Sequence, residues 1–176
     1  TPVDQDVALA CYSAVLALSH PTQIKNAAPD WDEMSQPAST MALQFSGLAA
    51  LYGEDWQTRP ELFDPDIGAQ IDIGQAMTGV EVAHAHQASQ AMRKTLESFL
   101  SRYDFLITPT TPCAAWPVTQ LDPTRIGGKA AAPRDHAAFT PQANHAGLPA
   151  ISIPCGFTKQ HLPVGLQIIG SPGSDA

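Results

Sequence analysis

The sequence predicts an α/β fold in which a mixed β-sheet is covered by helices, and two observations predict it. Residues 1–102 place apolar side chains at helical spacing, whereas residues 103–176 contain short apolar runs bounded by Pro and Gly. The helices come first along the chain, the strands come last, and all of them are short, which favours helices packed on one sheet. A chain of 176 residues is the size of one domain.

Four helices are predicted in the first part of the chain. Asp4 is a suitable cap for the first, and Gly53 is a suitable stop after the second, with a loop expected between residues 54 and 65. The fourth opens with Thr78 and Glu81, the T-x-x-E pattern of a capping box. The predicted helices span residues 4–19, 38–52, 66–73 and 78–102.

Three short strands are predicted in the last part of the chain, at residues 105–108, 150–154 and 163–169. Residues 114–134 have no periodicity and are expected to form a long loop, which in a compact domain is often functional. Thr140 and Pro141 form a cap and first-turn pair, and Gly147 is a suitable stop. A brief helix is therefore predicted at residues 140–146.

Charge and composition exclude several classes of function. The net charge is −8 with nine Lys and Arg and no basic run, so nucleic acid is not an expected partner. No apolar run approaches the roughly 20 residues that a membrane span needs. The three cysteines are far apart, which indicates neither a disulfide framework nor a zinc site and favours a reducing cytoplasm. The chain starts with Thr1 and not with Met, which suggests that it begins inside a longer or processed protein.

Metal and cysteine chemistry are not favoured by the residue spacings. His84 and His86 are two apart on a helix and point in nearly opposite directions, so they cannot share a metal ion. His136 and His145 lack a carboxylate or Cys at ligand spacing. Cys155 ends a strand and could act as a nucleophile with one of these imidazoles, but a small buried apolar side chain is the favoured interpretation. No metal or other cofactor is predicted.

A polar cluster around the brief helix is the best candidate for a ligand-facing surface. Asp135 and His136 precede Thr140, Gln142 and Asn144 within ten residues. Asp, Thr and Asn are also ordinary cap and turn residues, and the sequence leaves both interpretations open.

Three motifs in the last third of the chain resemble the amidase signature enzymes. They are YDFLITPTTP at residues 103–112, FTPQANHAGLPAISIPCGF at 139–157 and LPVGLQIIG at 162–170. Their order and spacing agree with the C-terminal portion of that family, so the resemblance implies a single partial domain at residues 1–176 with a partial amidase signature fold.

The resemblance implies cleavage of a carboxamide C–N bond. In that family a Ser nucleophile attacks the carbonyl, a second Ser on a cis peptide and a Lys relay the proton, and backbone N–H groups of a Gly/Ser-rich loop stabilise the oxyanion. This sequence contains no such Gly/Ser-rich segment and no Lys in a strand ahead of one. No catalytic residue is therefore assigned in this chain.

What the resemblance carries over is part of the substrate pocket. The family's pattern implies substrate-binding positions at Thr110, Asp135, His136, Phe139 and Asn144. The A subunits of amidotransferases have an Arg for a substrate carboxylate where AQIDIG at residues 69–74 has Gln70. A neutral or aromatic amide is accordingly favoured over an anionic one.

The leading hypothesis is the C-terminal part of an amidase that is inactive alone and pairs with itself or with the missing N-terminal half, because a cut sheet exposes strand edges. The alternative is a non-catalytic binding or assembly module that reuses the fold. A hydrolase dependent on Cys155 is a third possibility.

Overall fold

The computed structural model describes residues 1–18, 23–31 and 40–175. Within these ranges the contacts divide the chain into two compact units, one formed by Thr1–Pro29 with Leu96–Ala176 and the other by Asp30–Thr95. None of the helices in the described ranges is long and apolar enough to cross a membrane. The helices are α1 Gln5–Leu18, α2 Met41–Thr58, α3 Pro65–Ala76, α4 Gly79–Leu100 and α5 Pro141–Ala146; the strands are β1 Phe105–Pro109, β2 Arg125–Ile126, β3 Lys129–Ala130, β4 Ala150–Phe157 and β5 Pro163–Gly170.

The first unit is built on a three-stranded sheet in the order β1-β5-β4, with both ladders antiparallel. The predicted fold class, a sheet with helices against it, is confirmed. The predicted strands coincide with β1, β4 and β5 to within three residues at each end. The long loop predicted at residues 114–134 contains the short hairpin β2–β3.

Helix α1 covers one face of this sheet. Its Val7 and Cys11 are buried against Val164 and Leu166 of β5, and together they form a hydrophobic cluster on this side of the sheet. Alternate residues of a strand point to the same face, which is why Val164 and Leu166 both face α1. Asp4 stands before α1, and its carboxylate accepts from the Gly127 backbone N–H at 2.7 Å, which fastens the β2–β3 hairpin to the start of the helix.

The second unit is formed mainly by α2 and α3, which pack against each other. The prediction that Gly53 ends α2 is wrong, because α2 continues to Thr58 and Gly53 is buried inside it. A Cβ atom at Gly53 would lie 2.7 Å from Nε2 of Gln75 in α3, so this glycine leaves room for the end of the Gln75 side chain. The predicted end of the first helix at Ser19 and the predicted start of the second at Ala38 fall outside the described residues.

Helix α4 begins with the predicted capping box. Thr78 Oγ1 accepts from the Glu81 backbone N–H at 3.2 Å, and the Glu81 carboxylate accepts from the Thr78 backbone N–H at 2.7 Å. These bonds, first from the backbone and then from the Thr78 hydroxyl, lower the pKa of Glu81. The pattern that the sequence offers at this position is therefore confirmed atom by atom.

Candidate substrate-facing site

The sheet face opposite α1 carries a row of polar side chains across all three strands. Gln167 of β5 is paired in register with Thr108 of β1 on one side and with Ser152 of β4 on the other. We call Thr108, Ser152 and Gln167 the polar row. Each of these three strands contributes one polar side chain to the row, so no alternation within a strand signals it, and the row appears only once the strands are paired.

Gln167 connects the sheet to the segment that precedes α5. Its side chain is 4% exposed, and its Nε2 donates to Thr108 Oγ1 at 3.0 Å and to the backbone oxygen of Phe139 at 2.8 Å. One buried amide thus uses both of its donors on two different elements. The contact that fixes Phe139 beside the sheet is made by its backbone oxygen.

Thr110 lies one row further along the same face. Its hydroxyl is 2.6 Å from Ser152 Oγ, and its backbone N–H donates to the Gly165 oxygen at 2.9 Å. A Cβ atom at Gly165 would lie 2.8 Å from both hydroxyl oxygens, so the glycine leaves room for the two to meet. Thr110 is therefore held at the same end of the sheet as the polar row.

Asp135 lies in a short 3-10 helix, Asp135–Ala137, after the β2–β3 hairpin. Its carboxylate accepts from the Ala132 backbone N–H at 2.7 Å, as turn-forming Asp residues commonly do. The structure thus gives Asp135 a local role within its own loop, and the residue is exposed.

His136 faces two residues that the sequence analysis did not single out. Its ring centroid is 4.9 Å from that of Trp116, and its Nδ1 is 2.9 Å from Asp122 Oδ1. The distance suits an ion pair, but Nδ1 makes no hydrogen bond of acceptable direction. We give the direction more weight, because a hydrogen bond weakens steeply as the donor turns away from the acceptor. Trp116 and Asp122 lie in the aperiodic loop, where spacing gives no indication of such a contact.

Helix α5 is ended by Gly147, whose φ of 65° is in the left-handed region that glycine adopts without strain. Thr140 stands at the predicted cap position but makes no side-chain cap bond. Ala143 and Ala146 are buried, and Asn144 is exposed. Burial lowers the pKa of His145, so its neutral form is favoured.

Two buried polar atoms in this region lack a hydrogen-bond partner within the described part of the chain. They are Nδ1 of His136 and Oε1 of Gln142, whose Nε2 donates to the Ala138 oxygen at 2.8 Å. Buried polar atoms are rarely left unpaired, because each costs about 1–3 kcal/mol. Both belong to the polar cluster at residues 135–144 that the sequence offered as ligand-facing.

Cys155 packs on the face that α1 covers, but it is only partly buried, so the favoured interpretation of a buried apolar side chain holds in part. Its hydrogen-bond partner among the described residues is the thiol of Cys11. No imidazole of the described ranges bonds to it, so the geometry required for a Cys–His dyad is not formed.

Comparison with known proteins identifies the family. The model of the Amidase family matches residues 4–176. An acylamidase of Rhodococcus erythropolis is 31% identical over 179 residues, which cover 99% of this chain and 37% of that protein. The A subunit of glutamyl-tRNA(Gln) amidotransferase from Symbiobacterium thermophilum is 36% identical over 143 residues, which cover 76% of this chain and 27% of that protein.

Solved structures agree in fold. The crystal structure of an amidase superposes with a TM-score of 0.86 at 20% identity, over 98% of this chain and 39% of the other. 6-Aminohexanoate cyclic dimer hydrolase superposes with a TM-score of 0.80, also at 20% identity. This chain spans well under half the length of the relatives it matches. Motifs, fold and the match over residues 4–176 lead to one conclusion: the chain belongs to the amidase family, the amidase signature enzymes.

Proposed function

We propose that this chain forms the substrate-facing C-terminal part of an enzyme that hydrolyses carboxamide C–N bonds. The nucleophilic Ser, the second Ser and the Lys of that reaction come from residues outside this sequence. Two observations support this division: the relatives are more than twice as long as the matched region, and the sequence has no Gly/Ser-rich segment preceded by a Lys strand.

The observation that carries the proposal is the two buried polar atoms at residues 135–144 that make no hydrogen bond within the described part of the chain. An amide substrate offers one acceptor, its carbonyl oxygen, and in primary and secondary amides an N–H donor. A protonated Nδ1 of His136 donates to such an acceptor, and Oε1 of Gln142 accepts from such a donor. The two groups are complementary to those of an amide, which supports the proposal, while the bond-breaking chemistry requires an activated nucleophile from elsewhere.

The proposed substrate is a neutral amide, not an anionic one. Gln70 stands where the amidotransferase A subunits have an Arg, and it carries no charge for a substrate carboxylate. Within its own unit both ends of this amide are already used: Oε1 accepts from Gln44 and Nε2 donates to the Asp66 oxygen, each at 3.2 Å. Acyl anilides, which release a coloured amine, are suitable probes.

The test compares the chain alone with a chimera. In the chimera, residues 4–176 of this chain replace the matched region of the Rhodococcus erythropolis acylamidase, and hydrolysis of a nitroanilide is followed by absorbance. The chain alone is expected to remain at background and the chimera to turn over. Serine-dependent hydrolysis by the isolated chain would contradict the division of labour.

One variant and its control test the proposed role of Gln142 in substrate binding. In an active chimera, Gln142→Leu is expected to raise KM roughly tenfold, because the loss of one hydrogen bond to a bound ligand costs on the order of 1–1.5 kcal/mol. The exposed Gln57→Leu serves as the matched control and is expected to leave KM unchanged. Equal KM values for the two variants would remove Gln142 from the site.

A non-catalytic assembly module is the second candidate, and the outer strand β4 favours it. Among the described strands β4 is paired on one side only, and its Ile151 and Phe157 are 59% and 67% exposed. Exposed apolar strand edges invite pairing with another chain. Binding of the anilide without turnover, in the chimera as well as in the chain alone, would favour this candidate over the enzyme.

A further inference from the structure

The thiols of Cys11 and Cys155 meet on the sheet face that α1 covers. Their sulfur atoms are 3.8 Å apart although the residues are 144 positions apart in the chain. We propose that the two cysteines form a redox-active dithiol, which low-molecular-weight disulfides of the glutathione class oxidise to a Cys11–Cys155 disulfide that links α1 to β4. The inference goes beyond amide hydrolysis and does not depend on it.

A β-bulge places Cys155 and the next residue, Gly156, on the face of β4 that α1 covers. Pro154 pairs with Gly165 and Gly156 with Val164, so Cys155 is the extra residue of β4 and has no partner in the ladder. A bulge of this kind turns two consecutive residues toward one face. A Cβ atom at Gly156 would lie 3.4 Å from Cβ of Ala10 in α1, so this part of β4 is in close contact with the helix.

The two sulfur atoms are close to bonding distance. Sulfur atoms in a disulfide are about 2.05 Å apart, so the two must approach by roughly 2 Å for the bond to form. Cys11 Sγ lies 3.9 Å from the Gly165 oxygen, which places it over β5 and beside β4. Disulfide formation displaces only the weak hydrogen bond that the Cys11 thiol donates to that oxygen.

The order of the two chemical steps follows from burial. Cys155 is partly exposed, and its thiolate attacks the small disulfide, forming a mixed disulfide and releasing one thiolate. Cys11 then attacks the Cys155 sulfur of the mixed disulfide, its proton goes to the second departing thiolate, and the Cys11–Cys155 bond forms. The two protein thiols lose two electrons and two protons in total, and the small disulfide becomes two thiols.

Cys11 is unsuited to the first step. Burial, followed by the charge of Cys155 and a hydrogen bond with it, raises the pKa of the Cys11 thiol to about 12. A thiol with such a pKa is protonated at neutral pH, and a protonated thiol does not attack an external disulfide. Its attack on the mixed disulfide is intramolecular, so proximity compensates for the small thiolate fraction.

Cys113 is the matched control within the same chain. It is buried, and burial followed by the nearby Asp4 raises the pKa of its thiol. It therefore shares the environment of Cys11 but lies beside no other cysteine in the described residues. A reaction that depends on the pair leaves Cys113 reduced.

The test uses the full chain and its own three thiols. The folded protein is incubated with excess glutathione disulfide, alkylated with N-ethylmaleimide and analysed by intact mass and peptide mapping. The expected product is a Cys11–Cys155 cross-linked peptide with Cys113 alkylated. Cys113→Ser is expected to cross-link as readily as the unmodified sequence, and Cys11→Ser to stop at one glutathione adduct on Cys155.

Three outcomes would overturn the proposal. They are three alkylated thiols in the folded chain under conditions that oxidise the urea-unfolded chain, a cross-link that involves Cys113, or a stable glutathione adduct on Cys155 when Cys11 is present. The mapping of the unmodified sequence decides the matter even where a Cys11 variant fails to fold. The cross-link is also expected to raise the thermal midpoint by roughly 5–15 °C, since it closes a long loop. An unchanged thermal midpoint would contradict the proposal that the disulfide links α1 to β4.

Discussion

At the scale of single residues, the site depends on a few buried polar groups. Gln167 is one amide in an otherwise apolar strand, and it ties β1 to the segment before α5. Its contribution to stability comes less from the two hydrogen bonds themselves than from the cost of leaving their buried partners without a hydrogen bond.

Replacing Gln167 with Leu is expected to destabilise the chain by about 2 kcal/mol, because the Phe139 oxygen and the Thr108 hydroxyl lose their donor. The free energy of unfolding in urea measures the effect. Gln57→Leu is the matched control; Gln57 is exposed and bonds weakly to Gln75 at 3.4 Å, so a change within about 0.5 kcal/mol is expected. Equal effects at the two positions would show that Gln167 holds nothing in place.

His145 is expected to make stability depend on pH in one direction. Burial lowers its pKa below the ordinary value of 6.5, so between the two values the unfolded chain binds a proton that the folded chain does not. The contribution is fully present above pH 6.5 and is lost as the pH falls from 6.5 toward the lowered pKa. Urea unfolding of the unmodified chain and of His145→Asn over this pH range measures it.

The difference between the two pH profiles isolates His145 from the other histidines. The profile of His145→Asn is expected to be flatter below pH 6.5. Parallel profiles would mean that burial does not favour the neutral imidazole, and that its position in the last turn of α5, which favours the charged form, outweighs it.

At the scale of elements, the contact between α2 and α3 depends on glycine. A Cβ atom at Gly74 would lie 2.0 Å from the backbone oxygen of Phe45, whereas a Cβ atom at Gly47 would meet nothing within 4 Å. Both glycines lie inside helices, so helix propensity favours alanine equally at each position. Comparing alanine substitutions at Gly74 and Gly47 therefore separates the effect of helix packing on stability from that of helix propensity.

Gly74→Ala is expected to destabilise the chain by about 1–3 kcal/mol, since the methyl group has to push two backbones apart. Gly47→Ala is expected to stabilise it by up to about 1 kcal/mol. Thermal and urea unfolding of the two variants give the comparison. Stabilisation of the same size by both would contradict the close approach of α2 and α3.

Helices α2 and α3 also show which structural features a sequence pattern predicts and which it does not. The strands of the sheet and the capping box of α4 are determined by short stretches of sequence, so the residue pattern predicts them. Gly53 is read from sequence as a stop because glycine ends many helices, and nothing local reports that Gln75 of another helix packs over it. A glycine that serves a tertiary contact is indistinguishable in sequence from one that serves a turn.

The candidate site shows the same limit. Asp135, His136, Phe139 and Asn144 were expected from the motif, and the fold distributes them among different roles: a turn, a ring contact, a backbone acceptor and an exposed side chain. Trp116 and Asp122 reach His136 from a loop with no period. Thr110 and Ser152 are neighbours only because β1 and β4 flank β5, and that order is a property of the sheet and not of any short segment.

At the scale of the whole molecule, the sheet has two open edges within the described residues, β1 and β4. Phe105 on β1 and Ile151 and Phe157 on β4 are each more than half exposed. Apolar residues on edge strands are normally covered, and β1, FLITP, has no charged residue to block pairing.

The chain is therefore expected to associate with itself in the absence of another partner. Analytical ultracentrifugation over a range of concentrations measures this, with a dimer or larger species expected. Ile151→Lys places a charge on the β4 edge and is expected to shift the distribution toward monomer, whereas Val118→Lys, in a fully exposed loop position, is not. A concentration-independent monomer would contradict the open edges as association surfaces.

The bulge at Cys155 also decides how β4 should be compared with the same strand in relatives. Strict alternation from Ile151 and Ile153 would assign Phe157 to the helix-covered face, but the extra residue moves it to the other face, where it pairs with Pro163. Deleting residue 155 would keep every recorded pair of the ladder and would remove only the irregularity. A homologue that is one residue shorter here therefore preserves the sheet. An alignment that places the gap elsewhere would assign the residues of the strand to the wrong faces of the sheet.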